Sequence, residues 1–269
     1  MGTKRVIWLA IAITIIIAGA IAWQISRSRE PIYDGKPLSF WLAAYTPANR
    51  TETSFDEAND AVQTIGTNAI PTLLLKLQKK VSPLQVRLAY LLQKQHFIKI
   101  KMPRPQDEIL EAIAGFSALG SEARSAVPAL TEIYQRNLSD WSRAGVLVAL
   151  GSIGRSSAPA VPVLVSSLTN DQKRLRTVVV TTLGKIHADP AVAVPALARC
   201  LSDPDISVRA AAVDALQQFG PDARMATHDL QTLLDDPDEH LKNAALWALR
   251  EINPRASAGP QTNSPNAKD

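Results

Sequence analysis

Apolar positions along this chain follow a helical pattern that recurs every 33 or 34 residues. A Pro-x-Leu pair marks the same point of three successive units, at Pro128, Pro162 and Pro195, and His228 replaces proline in the next unit. An earlier unit begins at Pro71. A unit of this length holds two helices and is too small to bury its own apolar face, so it must stack on its neighbours. The period therefore predicts an all-α fold, an elongated α-solenoid.

The second helix of each unit carries the sharper pattern. Ala212, Val213, Leu216 and Phe219 precede Gly220 at i, i+1, i+4 and i+7, a spacing that places them on one face of a helix. The same frame fits the copies that end at Gly66, Gly120, Gly154, His187 and Asn253. In the first of these copies a polar residue, Asn59, interrupts the apolar stripe. The pattern predicts about six helical hairpins.

Glycine, proline and aspartate predict where these helices begin and end. Gly220 and Asn253 stand where the chain must leave a second helix with positive φ, a conformation that these residue types tolerate. Pro195, like the other repeated prolines, is expected to open the first helix of its unit. Asp203 and Asp236, each followed by proline, are expected to cap second helices.

The residues of the fourth unit carry a family resemblance. The run Ala193-Val194-Pro195-Ala196-Leu197, followed by Asp203-Pro204-Asp205 and Val208-Arg209, resembles the short bacterial form of the HEAT repeat, which includes units named after phycobilisome lyases. The resemblance covers roughly residues 55 to 253. It implies an armadillo/HEAT-like superhelix. Because the family ranges from scaffolds to a few enzymes, it leaves a bilin-type lyase as the alternative to a binding protein.

The N-terminus predicts the compartment. After two basic residues, an uncharged apolar run extends from Val6 to Trp23, just long enough to span a bilayer, with Trp8 near its start. The preceding charges favour a cytoplasmic N-terminus and an exported repeat domain, periplasmic or extracellular. The alternative is a cleaved signal peptide and a secreted protein, because small residues alternate at 18–20 and 20–22 as they do in cleavage sites.

These segments divide the chain into four parts. They are a cytoplasmic stub with a transmembrane anchor (or signal peptide) at 1–26, a linker with a capping segment at 27–54, the repeats at 55–253, and a tail predicted to be disordered at 254–269.

Within the capping segment, Leu38, Trp41, Leu42 and Tyr45 lie on one face of a short helix. We expect this face to cover the apolar end of the first repeat, since the ends of a solenoid require a cap. A partner-binding role for Trp41 is the alternative. The residues before this helix, from 27 to 37, are predicted to form a polar linker.

A basic insertion at about 81–106 interrupts the repeat. Pro71 and Pro128 are 57 residues apart, and no Asp or Glu stands between Ala61 and Gln106. The basic residues of this interval form the candidate partner-binding patch, which consists of Lys76, Lys79, Lys80, Arg87, Lys94, Lys99, Lys101 and Arg104. An anionic lipid or another anionic polymer is a candidate contact near a membrane, and an ordinary solvated face is the alternative. Nucleic acid is not expected, because the domain is exported and few aromatic residues interleave the charges.

No residue pattern typical of catalysis is present. The only cysteine, Cys200, precludes an intrachain disulfide and is predicted to be a half-buried small hydrophobe. The four histidines have neither a following Glu nor helical spacing, so no metal or cofactor is predicted. Asp205 with Arg209, and Asp238 with Lys242, are expected to form ion pairs within or between repeats. The sequence therefore favours a non-enzymatic protein-binding scaffold, presenting its second helices and the basic insertion to a partner.

Overall fold

The computed structural model describes residues 30–46, 54–79, 87, 104, 106–170 and 172–253. The predicted membrane span, most of the basic insertion and the tail lie outside these residues. In chain order, the helices of the described part are α1 (Leu38–Leu42), α2 (Phe55–Ile65), α3 (Ile70–Leu77), α4 (Asp107–Leu119), α5 (Val127–Gln135), α6 (Asp140–Ile153), α7 (Val161–Ser166), α8 (Lys173–Ile186), α9 (Pro190–Cys200), α10 (Ile206–Phe219), α11 (Thr227–Thr232) and α12 (Glu239–Ile252).

The even-numbered helices from α2 to α12 are the second helices of the units, and each packs on the next one along the chain. The odd-numbered helices from α3 to α11 are the first helices, and each packs against the second helix of its own unit. One continuous apolar core extends from Leu38 to Ile252. The predicted all-helical repeat fold is therefore confirmed for the described residues, with the stripe of Ala212, Val213 and Leu216 fully buried.

The turn after each second helix follows the predicted punctuation in four units. Gly154 has φ +69° and ψ −139°, a conformation that a Cβ atom disfavours strongly. It leads into a 3-10 turn that joins α6 to α7, and Gly66, Gly120 and Gly220 do the same in their units. The prediction for Asn253 was wrong, since its φ is −125° and it only ends the last helix.

The expectation that Pro195 opens a first helix was also wrong. In this unit the chain leaves α8 through His187 and Asp189, both left-handed with φ +46° and +48°, instead of through a glycine and a 3-10 turn. This shorter link allows α9 to begin at Pro190, so Pro195 lies inside the helix. Pro190, and not the repeated proline Pro195, therefore occupies the first helical position.

Capping of the second helices differs from the prediction by two residues. The side chain of Asp205 accepts a hydrogen bond from the Ser207 N–H and caps α10, and Asp238 caps α12 in the same way. Asp203 Oδ1 instead accepts from the Asp205 N–H at 2.9 Å, which closes a side-chain turn two residues before the cap. Asp236 forms the equivalent turn. This arrangement leaves the second carboxylate oxygen of Asp203 available to another unit.

A β-hairpin lies within the segment that was expected to be a linker. Strand β1 (Ile32–Tyr33) pairs antiparallel with β2 (Lys36–Pro37) through Asp34 and Gly35, both at positive φ. An Asp-Gly pair is the usual sequence signature of such a turn. The indole N–H of Trp41 donates to the Tyr33 carbonyl at 3.2 Å and ties the hairpin to α1.

The predicted apolar face of the capping helix is buried. Leu38 and Leu42 are fully buried where α1 contacts α2 and α4, and Trp41 is also buried. The Tyr45 hydroxyl donates to Asn59 Oδ1 at 2.6 Å, which explains the polar interruption in the α2 stripe. Burial raises the pKa of Tyr45 to about 12, so this hydroxyl remains a donor at neutral pH.

Among the described residues, one helical stretch, 140–169, is long and apolar enough to span a membrane by length and composition. It consists of α6, the turn that begins at Gly154, and α7, and half of its most apolar window is buried inside the protein. Val146, Leu147 and Leu150 in this stretch have no exposed surface. Its apolar character therefore belongs to the repeat core.

Replacement of Gly184 by alanine tests the close approach of the second helices. A Cβ at Gly184 in α8 would lie 3.0 Å from the Cα of Ala215 in α10, so the two backbones must separate. We expect Gly184→Ala to lower the free energy of unfolding by about 1–2 kcal/mol despite its better helix propensity. Urea unfolding measures the change.

Gly151 at the same position of α6 provides the matched control. Its Cβ would meet side chains only, the flexible side chain of Lys185 at 3.3 Å and the Thr182 methyl group at 3.9 Å. Gly151→Ala is expected to stabilise the protein by about 0.5–1 kcal/mol, because the helix propensity gain remains. Equal effects of the two substitutions would contradict close helix packing at Gly184.

Candidate binding surface

The outer sides of the second helices form one row of solvent-facing positions, which we call the second-helix face. From α6 to α12, residues at the same place in successive second helices are exposed, apart from the half-buried Val148, and they differ in chemistry. The first-turn positions are Trp141, Arg174, Ser207 and His240, and the positions two turns later are Val148, Thr181, Asp214 and Trp247. A constant packing frame thus carries a variable outer surface.

Two tryptophans on the second-helix face are unusually exposed. Trp141 in α6 is 45% exposed, and Trp247 in α12 is 59% exposed. The Arg250 guanidinium lies 5.1 Å from the ring centroid of Trp247. Exposed aromatic residues of this kind are enriched at the centres of protein interfaces. Neither tryptophan is predicted as a binding residue from the sequence, although each one is aromatic at a position that is polar in a neighbouring unit.

The candidate basic patch is partly neutralised by the helix that follows it. Lys76 pairs with Glu111 at 2.7 Å, Lys79 pairs with Glu108, and Arg104 pairs with Asp107 at 3.0 Å. All three carboxylates belong to α4, which begins immediately after the acid-free interval. Arg87 is exposed. Lys80, Lys94, Lys99 and Lys101 lie outside the described residues.

The Lys76–Glu111 pair is structural. Both side chains are largely buried between α3 and α4, where the insertion connects the two helices of one hairpin. Burial raises the pKa of Glu111, and the charge and hydrogen bond of Lys76 offset only part of that effect. Lys76 thus serves the packing of its own unit and is not free for a partner.

Basic residues stand 33 residues apart near the start of the second helices, at Arg143, Arg176, Arg209 and Lys242. We call this row the arginine ladder, and two of its members, Arg176 and Arg209, form ion pairs between units. Arg176 donates from Nε and Nη2 to the two carboxylate oxygens of Asp203 in the next unit, both at 2.8 Å. Arg209 lies 3.5 Å from Asp236 of the following unit. The ladder therefore links successive units along one edge of the repeats.

Of the two arrangements expected, the pairing between repeats is found for Asp205 and Arg209, and the pairing four residues apart is not. Asp205 pairs with Lys173 of the preceding second helix at 2.9 Å, not with Arg209. Lys242 pairs with Glu239 at 2.7 Å, not with Asp238. Asp205 and Asp238 use their side chains to cap helices, so their oxygens face the helix N-terminus instead of the next turn.

The electrostatics of Asp203 follow from its two partners. Burial by itself raises the pKa of this carboxyl, but the hydrogen bonds from Arg176 and from the Asp205 N–H outweigh it and hold the pKa below its usual range. The carboxylate is therefore ionised at every pH at which the protein is expected to function.

The ladder changes at Arg143. Its guanidinium pairs within its own helix with Asp140 at 2.7 Å. The position that corresponds to Asp203 is occupied by Asn170. An open cleft of about 310 Å³ lies at this point, and its lining includes Tyr134, Arg143 and Asn170.

Cys200 has no sign of nucleophilic activation. The thiol is buried and donates to the Ala196 carbonyl at 3.4 Å. Burial, together with the charge of Asp203, raises the pKa of the thiol to about 11. No group of three or more His, Cys, Asp or Glu side chains within the described ranges is placed to hold a metal ion.

Comparisons with known proteins agree with the repeat pattern. The family model described as HEAT repeats matches residues 127–217 and again residues 193–260. No curated protein matches this chain. The chain is an α-solenoid of stacked helical hairpins. Residues 127–260 of this solenoid are similar to HEAT repeats.

Several solved structures of designed or engineered proteins are similar to this chain. A designed armadillo repeat protein in complex with the peptide (KR)4 shares 16% identity over 80% of this chain and 99% of that chain, with a TM-score of 0.49. Another designed armadillo repeat protein shares 16% identity over 80% and 99%, with a TM-score of 0.45. An engineered protein shares 18% identity over 80% and 97%, with a TM-score of 0.43.

Substitution of Asp203 by asparagine tests whether the ion pair with Arg176 stabilises the protein in a pH-dependent way. Because the pKa of Asp203 is lower in the folded than in the unfolded protein, the stabilisation is complete above about pH 5 and is lost as the pH falls through the folded-state pKa. Asp203→Asn should cost about 1.5–3 kcal/mol of unfolding free energy at neutral pH. This cost should shrink below about pH 4.

Unfolding by urea at several pH values measures this dependence. Asp222→Asn, at an exposed position in a 3-10 turn, is the control and should change stability little at any pH. A cost for Asp203→Asn that stays constant down to about pH 3 would rule out a contribution from the charge of Asp203.

Proposed function

We propose that this protein is a non-enzymatic protein-binding scaffold whose partner contacts the second-helix face. The observation that carries the proposal is the contrast between a repeated core and a varied, exposed outer row that includes Trp141 and Trp247. An elongated solenoid gives a partner a long surface without a deep pocket. Large aromatic side chains supply contact area with few rotatable bonds, which suits them to binding.

The basic insertion is a second candidate contact. It connects α3 to α4 along the chain. Since Lys76, Lys79 and Arg104 have carboxylate partners on α4, the proposal rests on Arg87, Lys80, Lys94, Lys99 and Lys101 for an anionic partner. An anionic lipid or polymer is the candidate, and nucleic acid is not expected in an exported domain.

The protein is proposed to be a single-pass membrane protein. The run from Val6 to Trp23 serves as the anchor, with the N-terminus in the cytoplasm and the repeats exported. Secretion after cleavage of a signal peptide is the alternative.

Cell fractionation with N-terminal sequencing distinguishes the two arrangements. We expect the mature protein to begin near Met1 and to sediment with membranes, because an uncleaved apolar span holds it in the bilayer. A soluble protein that begins at Ile21 or Trp23 would show cleavage and would contradict the anchor.

The enzyme alternative, including a bilin-type lyase, predicts a different observation. A lyase binds its chromophore, so a visible absorption band should copurify with the protein. The non-enzymatic proposal predicts that the purified protein absorbs only through its aromatic residues.

Site-specific photocrosslinking in the native cells tests the binding face. A benzoylphenylalanine residue at position 141 or 247 is expected to trap the same protein, because both positions lie on the second-helix face. Positions 75 and 225 are the controls, since Leu75 and Met225 are also highly exposed but lie on a first helix and on a 3-10 turn.

Mass spectrometry identifies the trapped proteins, and the result at positions 141 and 247 is compared with that at the two control positions. Crosslinks from 141 and 247, with none from 75 and 225, support the proposal. Equal trapping at all four positions, or no trapping at 141 and 247, would remove the second-helix face as the binding surface.

A further inference from the structure

Arg143 differs from the other ladder arginines in the partner it receives from the next unit. Arg176 donates from both Nε and Nη2 to Asp203, and its Nη1 donates to the Asn170 carbonyl at 2.9 Å. Arg143 has a carboxylate only within its own helix, where Asp140 is largely exposed to water. Arg143 Nε is buried and has no hydrogen-bond partner among the described residues. Arg209 Nε shares that property, but a carboxylate of the next unit lies beside its guanidinium.

The chemistry of Asn170 explains the difference. In Asp203, Oδ1 accepts from a turn N–H as well as from arginine, and Oδ2 accepts from arginine Nε. In Asn170, Oδ1 accepts from the Gln172 N–H at 2.9 Å in the same way. The remaining side-chain group of asparagine is an NH2, which donates and cannot accept from a guanidinium. At this unit the ladder therefore lacks the second acceptor oxygen that Asp203 provides to the Nε of Arg176.

An open cleft lies where that acceptor is missing. We call it the Arg143 cleft, and it is lined by Tyr134, Asn137, Arg143, Ser166, Ser167 and Asn170 among others. Arg143 is the charged residue of the lining, and its side chain is only 11% exposed. Tyr134 also lines the cleft, and its buried hydroxyl lies near Ser167. Arg143, whose buried Nε has no partner among the described residues, thus lines a cleft of about 310 Å³.

We propose that the Arg143 cleft binds the carboxylate of an Asp or Glu side chain in an extended segment of the partner protein. The carboxylate supplies Arg143 with acceptor oxygens from outside the chain, as Asp203 supplies them to Arg176 from the next unit. A planar carboxylate matches a guanidinium through two parallel hydrogen bonds, as Asp203 does with Arg176. A single arginine in the lining suits a singly charged group better than a phosphate dianion.

The surroundings favour a polypeptide over a free acid. The cleft is open to solvent on one side, so the chain that carries the carboxylate continues outside it. Hydroxyl and amide side chains at Asn137 and Ser166 line the cleft and suit peptide N–H and carbonyl groups. This inference deepens the proposed binding function and rests on it, because it names the chemistry that the partner presents.

Titration with an acidic peptide tests the cleft. The probe is the acetylated and amidated peptide Gly-Ser-Asp-Ser-Gly, added to the full-length protein in detergent micelles. The side-chain Nε–H resonance of Arg143 should shift in a saturable manner, while that of Arg176 should not. The matched peptide with Asn in place of Asp should bind about tenfold more weakly or worse, since a charge-assisted pair is lost.

Asn170→Asp is the sharpest control, because it adds the acceptor that the other units possess. The variant should fold at least as stably as the wild type, and its affinity for the acidic peptide should fall about tenfold or more. A peptide shift that is absent in the wild type, or that is unchanged in Asn170→Asp, would overturn the proposal.

Asp171, next to Asn170, lies outside the described residues. A further variant, Asp171→Asn, tests whether the carboxylate of Asp171 itself occupies the cleft. If acidic peptide binds only after Asp171→Asn, the chain itself fills the cleft and the proposal fails. Equal binding in wild type and Asp171→Asn supports it. If the acidic peptide does not bind but positions 141 and 247 still crosslink to a partner, the proposal for the Arg143 cleft fails and the proposed binding function stands.

Discussion

The contact between one second helix and the next is the interaction on which the rest of this protein depends. Ala215 in α10 lies against Gly184 in α8 so closely that a single added methyl group would touch its backbone. Gly115 in α4 leaves room for the Leu73 side chain of α3, the first helix of its own unit. Because no hairpin can bury its own apolar face, these contacts give the whole chain one core. Stability is then shared between neighbours, and the loss of one contact weakens both units.

Hydrogen bonds and ion pairs also join neighbouring units, at the helices that form the apolar core. The Thr182 hydroxyl donates to the Leu147 carbonyl at 3.3 Å, and the Ser142 hydroxyl donates to the Leu77 carbonyl at 2.6 Å. Both join a second helix to the preceding unit inside the core. At the edge, Arg176 and Asp203 do the same with full charges. A repeat that fixes the helix positions therefore fixes where such pairs form, and one asparagine is enough to leave an arginine without its usual partner.

The two ends of the stack are treated differently. At the N-terminal end, Leu38, Trp41 and Leu42 of α1 are buried where this helix packs against α2 and α4. At the C-terminal end, Leu246 is 39% exposed, whereas its counterpart Val213 in α10 is fully buried by the following unit. The stripe that the sequence predicts as core is therefore core only where another unit packs on it. Within the described residues, α12 has no such neighbour.

The amino-acid pattern by itself determined the helices, their order and the second-helix stripe, because apolar spacing and turn residues act over a few positions along the chain. It also indicated the capping face at Leu38 and Trp41. Only the tertiary structure decided that Arg176 pairs with Asp203, that Lys76 is held by Glu111, and that Asn59 binds Tyr45. Those partners are separated by many residues, and their meeting depends on how the units stack. The tertiary structure also decided that α9 begins at Pro190 and not at Pro195. The link from α8 sets where this helix begins, and the position of a proline alone does not.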